Sequence, residues 1–227
     1  MIRRASPWPV RMLPEPVTIA PGVFWWRTAL DRAAQQRLVD AVFTLERQAP
    51  FYRPRMPVSG KPFSVEETNF GPFGWVSDER GYRYSTTHPQ TGNTWPAIPE
   101  DLLDLWQAAT SHPAMPECCL VNLYRGEARM GLHQDRDEEA LDAPVLSVSL
   151  GDTATFRIGG TNRRGPTKSV RLQSGDVIQF GGEARLAYHG IDRIIGGTSD
   201  LVPGGGRLNL TLRRITKGRS RSNANAR

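Results

Sequence analysis

Six short β-rich runs crowd residues 117–215: CCLVNLY, VLSVSL, ATFRI, KSVRLQ, DVIQFGG and RLNLTLRRI, separated by turn signals such as SGD and GGT. Many short strands within about 100 residues close into a sandwich, a jelly roll or a barrel. Helical periodicity is confined to the chain before them. Leu30, Ala34, Leu38, Ala41, Val42 and Leu45 recur at helical spacing within 29–49. A second helix is expected near Pro99, with Glu100 and Asp101 in its first turn and an apolar stripe of Ile98, Leu102, Leu105, Trp106 and Ala109. Helices followed by strands is not a βαβ alternation. Between the helices, residues 50–97 are rich in Pro, Gly and aromatics, including Phe70, Phe73, Trp75, Tyr82, Tyr84 and Trp95. That stretch reads as short strands and loops forming a cover or recognition surface. The expected class is mainly β, with N-terminal helices and an aromatic lid.

Composition narrows the function classes. With 227 residues the chain holds one large domain, or a domain plus an extension. Its apolar runs are far shorter than a bilayer needs, and MIRRASPWPV has no apolar stretch after its arginines, so a soluble cytoplasmic protein is expected. Cys118 and Cys119 are adjacent, and the expected state is two buried reduced thiols. Of the net charge of +6, four units lie from Ile215 onward, on Lys217, Arg219, Arg221 and Arg227, which leaves +2 for the rest. The body is therefore mildly basic, and residues 215–227 are expected to form a disordered basic arm. Such an arm attracts phosphates nonspecifically or merely aids solubility. Nothing suggests an obligate dimer, and a monomer is expected.

Two residue constellations carry chemistry. In an extended segment His133 and Asp135 project to one face and leave Gln134 on the other. With His189 from another strand they offer two imidazoles and a carboxylate, a facial set that suits non-haem Fe(II). The alternative is a pair of ordinary hydrogen-bonded histidines. The second constellation is Arg207-Leu208-Asn209-Leu210-Thr211-Leu212-Arg213, where strand alternation puts three leucines on one face and Arg207, Asn209, Thr211 and Arg213 on the other. Buried arginines need anions, and guanidinium forks match the carboxylates of a small dicarboxylate. The alternative is an exposed basic face paired with surface acids. Asn122 and Tyr124 repeat the alternation on NLY.

From Asn122 to Ile215 the chain resembles the AlkB dioxygenase family. NLYRGEARMGLHQDRDE is similar to that family's metal-binding strand and loop, and APVLSVSLG, GDVIQFGGEARLAYHGI and RLNLTLRR follow in the same order. The likeness continues upstream through TNFGPFGWVSDERGYRYS and PQTGNTWPAIP, but not into residues 1–60. The resemblance implies a double-stranded β-helix core at 116–214, preceded by an extension at 1–115 that carries both helices and a nucleotide-recognition lid. It implies iron ligation by His133, Asp135 and His189. It further implies a 2-oxoglutarate pocket lined by Asn122, Tyr124, Arg207, Asn209 and Arg213, with Arg207 on the distal carboxylate and Arg213 toward the metal. The implied reaction uses Fe(II), O2 and 2-oxoglutarate to oxidise an alkyl group on a nucleobase, releasing succinate, CO2, formaldehyde and the repaired base.

A base inside a duplex cannot reach such a pocket, so the implied partner is alkylated DNA that is single-stranded or has its base flipped out. RNA is the variant of that reading. The implied base contacts are Trp75, facing His133 across the base, with Tyr82, Tyr84 and Arg163 for base or phosphate. Trp75 also suits plain packing in the lid. Asp137 would favour bases made cationic by methylation, such as 1-methyladenine and 3-methylcytosine; the bland reading makes it one loop acid beside Glu138 and Glu139. Rival functions are the same oxidation on RNA or a protein side chain, a non-catalytic nucleic-acid-binding module, and a zinc hydrolase on a cupin-like barrel. The last does not account for Arg207 and Arg213.

Overall fold

A computed structural model of the chain describes residues 13–217. The first elements are a hairpin of β1 (Val17–Ala20) and β2 (Val23–Trp26), turning through Gly22 at φ +75°. There an added Cβ would meet the Gly181 carbonyl at 2.4 Å, so glycine is required on two counts. Next comes α1 (Arg32–Leu45), started by Asp31, whose carboxylate accepts from the Ala34 amide at 2.9 Å. It is shorter than the periodicity predicts because the cap sets its start and turn-type bonds take over after Leu45. Then follow β3 (Glu66–Phe70), β4 (Gly74–Asp78), β5 (Gly81–Ser85) and α2 (Glu100–Ala109). The strand-rich part consists of β6 (Cys118–Tyr124), β7 (Met130–His133), β8 (Val145–Gly151), β9 (Thr153–Gly159), β10 (Thr167–Leu172), β11 (Val177–Phe180), β12 (His189–Ile195) and β13 (Arg207–Arg213).

These strands form a jelly roll of two antiparallel sheets, of order β1-β2-β11-β8-β13-β6-β3 and β10-β9-β12-β7, with β4-β5 as a separate hairpin. The larger sheet takes β1, β2 and β3 from the part of the chain that the sequence reads as an extension. Strand β13 lies between β8 and β6, and all seven of its residues are buried. Its leucine face packs with Val121, Leu123, Leu146 and Val148 and with Leu38, Val42, Leu102 and Trp106 of the two helices. The helices therefore cover one face of the larger sheet, and burial of that stripe drives their docking. The other face, carrying Arg207, Asn209, Thr211 and Arg213, looks toward the smaller sheet, whose Phe156, Ile158 and Ile191 join a second apolar cluster. The exposed-face alternative for these arginines is thereby removed.

The adjacent cysteines are free and buried. Of the segment read as a disordered arm, Ile215 is buried and the Thr216 hydroxyl and amide bond to the Glu117 carboxylate. Residues 218–227 lie outside the described residues. Among the described residues no helix is long and apolar enough to cross a membrane.

Candidate active site

The histidines of the metal set are cross-strand partners. Antiparallel pairing of β7 with β12 puts His133 opposite His189, with ring centroids 4.4 Å apart. Asp135 follows two residues after His133, just beyond the end of β7. Its carboxylate lies 3.7 Å from His133 Nε2 and 3.8 Å from His189 Nε2. One ligand atom from each of the three lies within 4.8 Å of the others. In both rings Nδ1 sits 3.0 Å from a backbone carbonyl, that of Gly131 for His133 and of Ala187 for His189. Donation from Nδ1–H leaves the Nε2 lone pair for a cation. Burial, reinforced by the neighbouring imidazole of His133, pushes the His189 ring down to about 4, so it is neutral and ready to ligate near neutral pH.

The carboxylate is fixed by charge. Arg213 makes a forked pair with Asp135, Nη2 to Oδ1 at 2.9 Å and Nε to Oδ2 at 3.2 Å. Burial alone would raise the carboxyl, but the Arg213 guanidinium, aided by the imidazoles, outweighs it and holds Asp135 well below the usual range. Arg185, nearly fully buried, donates to the Ala143 carbonyl at 2.8 Å, to the Asp135 backbone carbonyl and to the Glu138 carboxylate at 3.1 Å. Glu138 in turn accepts from the Tyr84 hydroxyl of the β4-β5 hairpin. One buried network thus ties the metal loop to the lid. The sequence offers only an arginine inside an apolar stretch, GGEARLAY, as a sign of Arg185, and its role was not read from it.

A cavity of about 390 Å³ lies between the sheets and is roofed by the hairpin. Its walls include His133, Asp135, His189, Asn122, Tyr124, Arg207, Asn209 and Arg213. Trp75, Tyr82, Asp137 and Arg163 line its mouth. Tyr84 is instead engaged with Glu138, and the Arg213 guanidinium lies 3.4 Å from its hydroxyl. Trp75 stacks on Tyr82 with centroids 5.4 Å apart, and its indole N–H donates to Asp137 at 3.0 Å. The hairpin is anchored to β3 by Asn69, whose side-chain amide bonds both the N–H and the carbonyl of Trp75. Arg163 sits 5.9 Å above the Tyr188 ring.

Arg207 tests the fit of a dicarboxylate. It is 1% exposed, donates from Nη2 to Ser149 at 2.9 Å and lies over the Tyr124 ring. Its Nε and Nη1 have no partner among the described residues. Burial pushes this guanidinium down to about 10. A buried cation with two unpaired donors aimed at a cavity requires an anion there. Asn122 adds an unpartnered amide oxygen, while Asn209 is held by Ser147 and Thr211. The residues present fit both a facial Fe(II) and a carboxylate-bearing cosubstrate.

Comparison with known proteins agrees with this geometry. Residues 22–213 match the 2OG-Fe(II) oxygenase superfamily. The chain is 57% identical over 205 residues to the alpha-ketoglutarate-dependent dioxygenase AlkB homolog of Caulobacter vibrioides, covering 90% of this chain and 93% of that protein. It is 40% identical over 217 residues to alpha-ketoglutarate-dependent dioxygenase AlkB of Escherichia coli K12, covering 94% and 96%. The solved structure of OsALKBH1 superposes with a TM-score of 0.74 at 31% identity, covering 88% of this chain and 99% of that one. More distant relatives include a DNA N(6)-methyladenine demethylase of Arabidopsis thaliana, 33% identical over 60% of this chain, and a tRNA demethylase of Schizosaccharomyces pombe, 29% identical over 60%. The chain belongs to the AlkB family of Fe(II)- and 2-oxoglutarate-dependent dioxygenases.

Proposed function

We propose that this enzyme removes alkyl groups oxidatively from cationic bases such as 1-methyladenine and 3-methylcytosine in DNA, reversing the damage directly. The observation that carries the reading is the cavity itself: the metal set at its floor and a stacked Trp75–Tyr82 pair with Asp137 at its mouth. An aromatic face beside a carboxylate suits a flat cation. The relatives named for DNA and for tRNA support a nucleic-acid substrate. The reading includes a monomeric cytoplasmic enzyme, and two free buried thiols fit a reducing compartment.

When bound, Fe(II) with 2-oxoglutarate and O2 supplies the oxidation, and 2-oxoglutarate leaves as succinate and CO2. His133, Asp135 and His189 hold the iron, and Arg185 and Arg213 keep Asp135 in place for it. Arg207 takes the distal carboxylate of the cosubstrate, with Tyr124, Asn122 and Asn209 around it, and Arg213 borders its metal end. Trp75 covers an extruded base, with His133 below, and Tyr82 and Arg163 reach the flanking backbone. The buried walls exclude water from the reacting carbon.

Purified protein with Fe(II), ascorbate and 2-oxoglutarate is expected to convert a 1-methyladenine oligonucleotide to its repaired form. Mass spectrometry would detect succinate and repaired base, both of which should vanish in His133→Ala. Succinate without repair points to another substrate, which a methylated RNA oligonucleotide run in parallel would reveal. Neither product from folded, iron-loaded protein refutes the reading. A second expected result concerns Asp137. Asp137→Ala should lower the rate ratio of 1-methyladenine over neutral 1-methylguanine by about threefold, because Asp137 is exposed and one solvent-screened charge contact is worth about 0.7 kcal/mol. An unchanged ratio would reduce Asp137 to a support for the Trp75 indole.

A further inference from the structure

Glu67 is the most anomalous side chain in the cavity wall. It is an acid only 1% exposed, second in β3, and it lines the same cavity as the metal set. Its Oε2 has no hydrogen-bond partner among the described residues. Strand register puts it beside Asn122 of β6, which pairs with Asn209 of β13, so Glu67 ends an inward-facing polar row across the larger sheet. Asn122 Oδ1 is likewise unpartnered. A buried carboxyl oxygen without a partner is costly and calls for an explanation, and here the cavity it lines offers one in a bound ligand. The groups near it are Arg213 from β13, Tyr124 from β6 and Tyr52, whose backbone bridges that of Glu67. Burial pushes the Glu67 carboxyl up to about 8, only partly offset by Arg213, so near neutral pH it is mostly a neutral acid.

Two occupants of the cavity can complete it. The cosubstrate has its anionic ends accounted for by Arg207 and the metal end, and a second carboxyl beside it gains little. The base is the better partner. Strand β3 runs directly into the lid: Asn69, two residues on, holds Trp75, and Leu120, Trp75 and Tyr82 share the wall with Glu67.

On the nucleobase reading above, we propose that Glu67 is a substrate-contacting residue whose carboxyl binds the hydrogen-bond donor edge of a cationic alkylated base and selects it over neutral bases. On binding, the O–H bond of the acid breaks, its proton leaves to solvent, and the carboxylate pairs with the base cation. A neutral base gives no such exchange. Glu67 thereby adds, from the sheet, a second acidic contact to that of Asp137 on the loop.

The test is anaerobic binding to protein loaded with Fe(II) and 2-oxoglutarate, by calorimetry in two buffers of different ionisation enthalpy. The probes are single-stranded oligonucleotides carrying 1-methyladenine or neutral 1-methylguanine. Near neutral pH the wild type should release protons on binding 1-methyladenine only. Glu67→Gln should abolish that release and weaken 1-methyladenine binding about tenfold, the worth of one charge-assisted contact. Binding of 1-methylguanine and of 2-oxoglutarate should stay within about twofold. Should the glutamine variant unfold early, Glu67→Met, which puts no polar group at that position, carries the same comparison. Weakened 2-oxoglutarate binding would assign the carboxyl to the cosubstrate and overturn the proposal. So would equal weakening of both oligonucleotides, or a preference and proton release that the variant retains. A wild type that binds both probes alike and repairs neither refutes instead the nucleobase reading on which this one rests.

Discussion

Asp135→Ala is expected to abolish turnover and to destabilise the fold at the same time. Loss of the carboxylate ligand should bring activity below about a thousandth of wild type, equivalent to about 4 kcal/mol in the barrier. The stability loss has a separate origin. Asp135 is buried with Arg213 in a forked pair, and removing one member leaves a guanidinium uncompensated. Breaking such a pair costs roughly 3–5 kcal/mol, and the lower end applies here because Glu138 stays 3.6 Å from Arg213. The pH dependence has a definite sign. Arg213 and the imidazoles hold the native carboxyl below its unfolded value, so its contribution is complete above the ordinary carboxylate range. It fades as pH falls toward the lowered native value, and the gap between wild type and variant should narrow in acid. Denaturant unfolding of Asp135→Ala and of the double variant Asp135→Ala/Arg213→Met separates the two effects. The double variant should regain most of the lost stability and none of the activity. A double variant less stable than the single one would show that the pair is not the source.

Strand β13 was legible because its pattern has a physical period. Leu208, Leu210 and Leu212 could only be one face of a strand, and the polar residues between them had to share the other. The metal set was legible for a similar reason, since an i, i+2 pair in an extended segment points one way, and Asp135 lies just past the end of β7. The first helix was legible in place but not in extent, whereas α2 starts at its N-cap Pro99 with Glu100 and Asp101 in its first turn, as its sequence signals. What the sequence hid depends on tertiary neighbours. Strand β12 starts with His189 and reads HGIDRII, without alternation, because its pairing with β7 and β9 is irregular. Strand β3, EETNF, looks like a surface segment, yet four of its five residues are buried. Its pairing with Cys119–Leu123 of β6 drew it in, and nothing local announces that. Glu67, Asn69 and Arg185 were missed on the same ground: an acid, an amide and a base in loops or short strands acquire their roles only through groups far along the chain. The resemblance supplied the order of the landmarks, but these residues lie outside the ligand and cosubstrate positions it carried over.

Arg207→Met should move stability and cosubstrate affinity in opposite directions. In the protein without 2-oxoglutarate, Arg207 is a buried cation with two unpaired donors and, among the described residues, one hydrogen bond, to Ser149. Burial already weakens its hold on the proton, a sign of how poorly the site solvates it. Methionine has a similar length, fills the same space beside Tyr124 and leaves no polar group unmatched. Replacing buried charge with apolar volume is neutral or stabilising by roughly 1–4 kcal/mol. The thermal midpoint of the variant should therefore equal or exceed that of wild type. The affinity cost comes from the same two nitrogens. A forked guanidinium–carboxylate contact is worth about 3 kcal/mol, so KM for 2-oxoglutarate should rise about a hundredfold. Wild-type protein at a hundredfold excess over Kd should gain about 2.7 kcal/mol from the cosubstrate, and the variant almost none at that concentration. Unfolding with and without 2-oxoglutarate, on iron-loaded protein kept anaerobic, reads both quantities in one experiment. A variant that loses stability without ligand would show that the guanidinium is satisfied within the fold. One that keeps its KM would place the distal carboxylate elsewhere. The opposed signs follow from the same fact: Asp176 acts on this guanidinium only through its charge, and the two free nitrogens are left for the cosubstrate to pair.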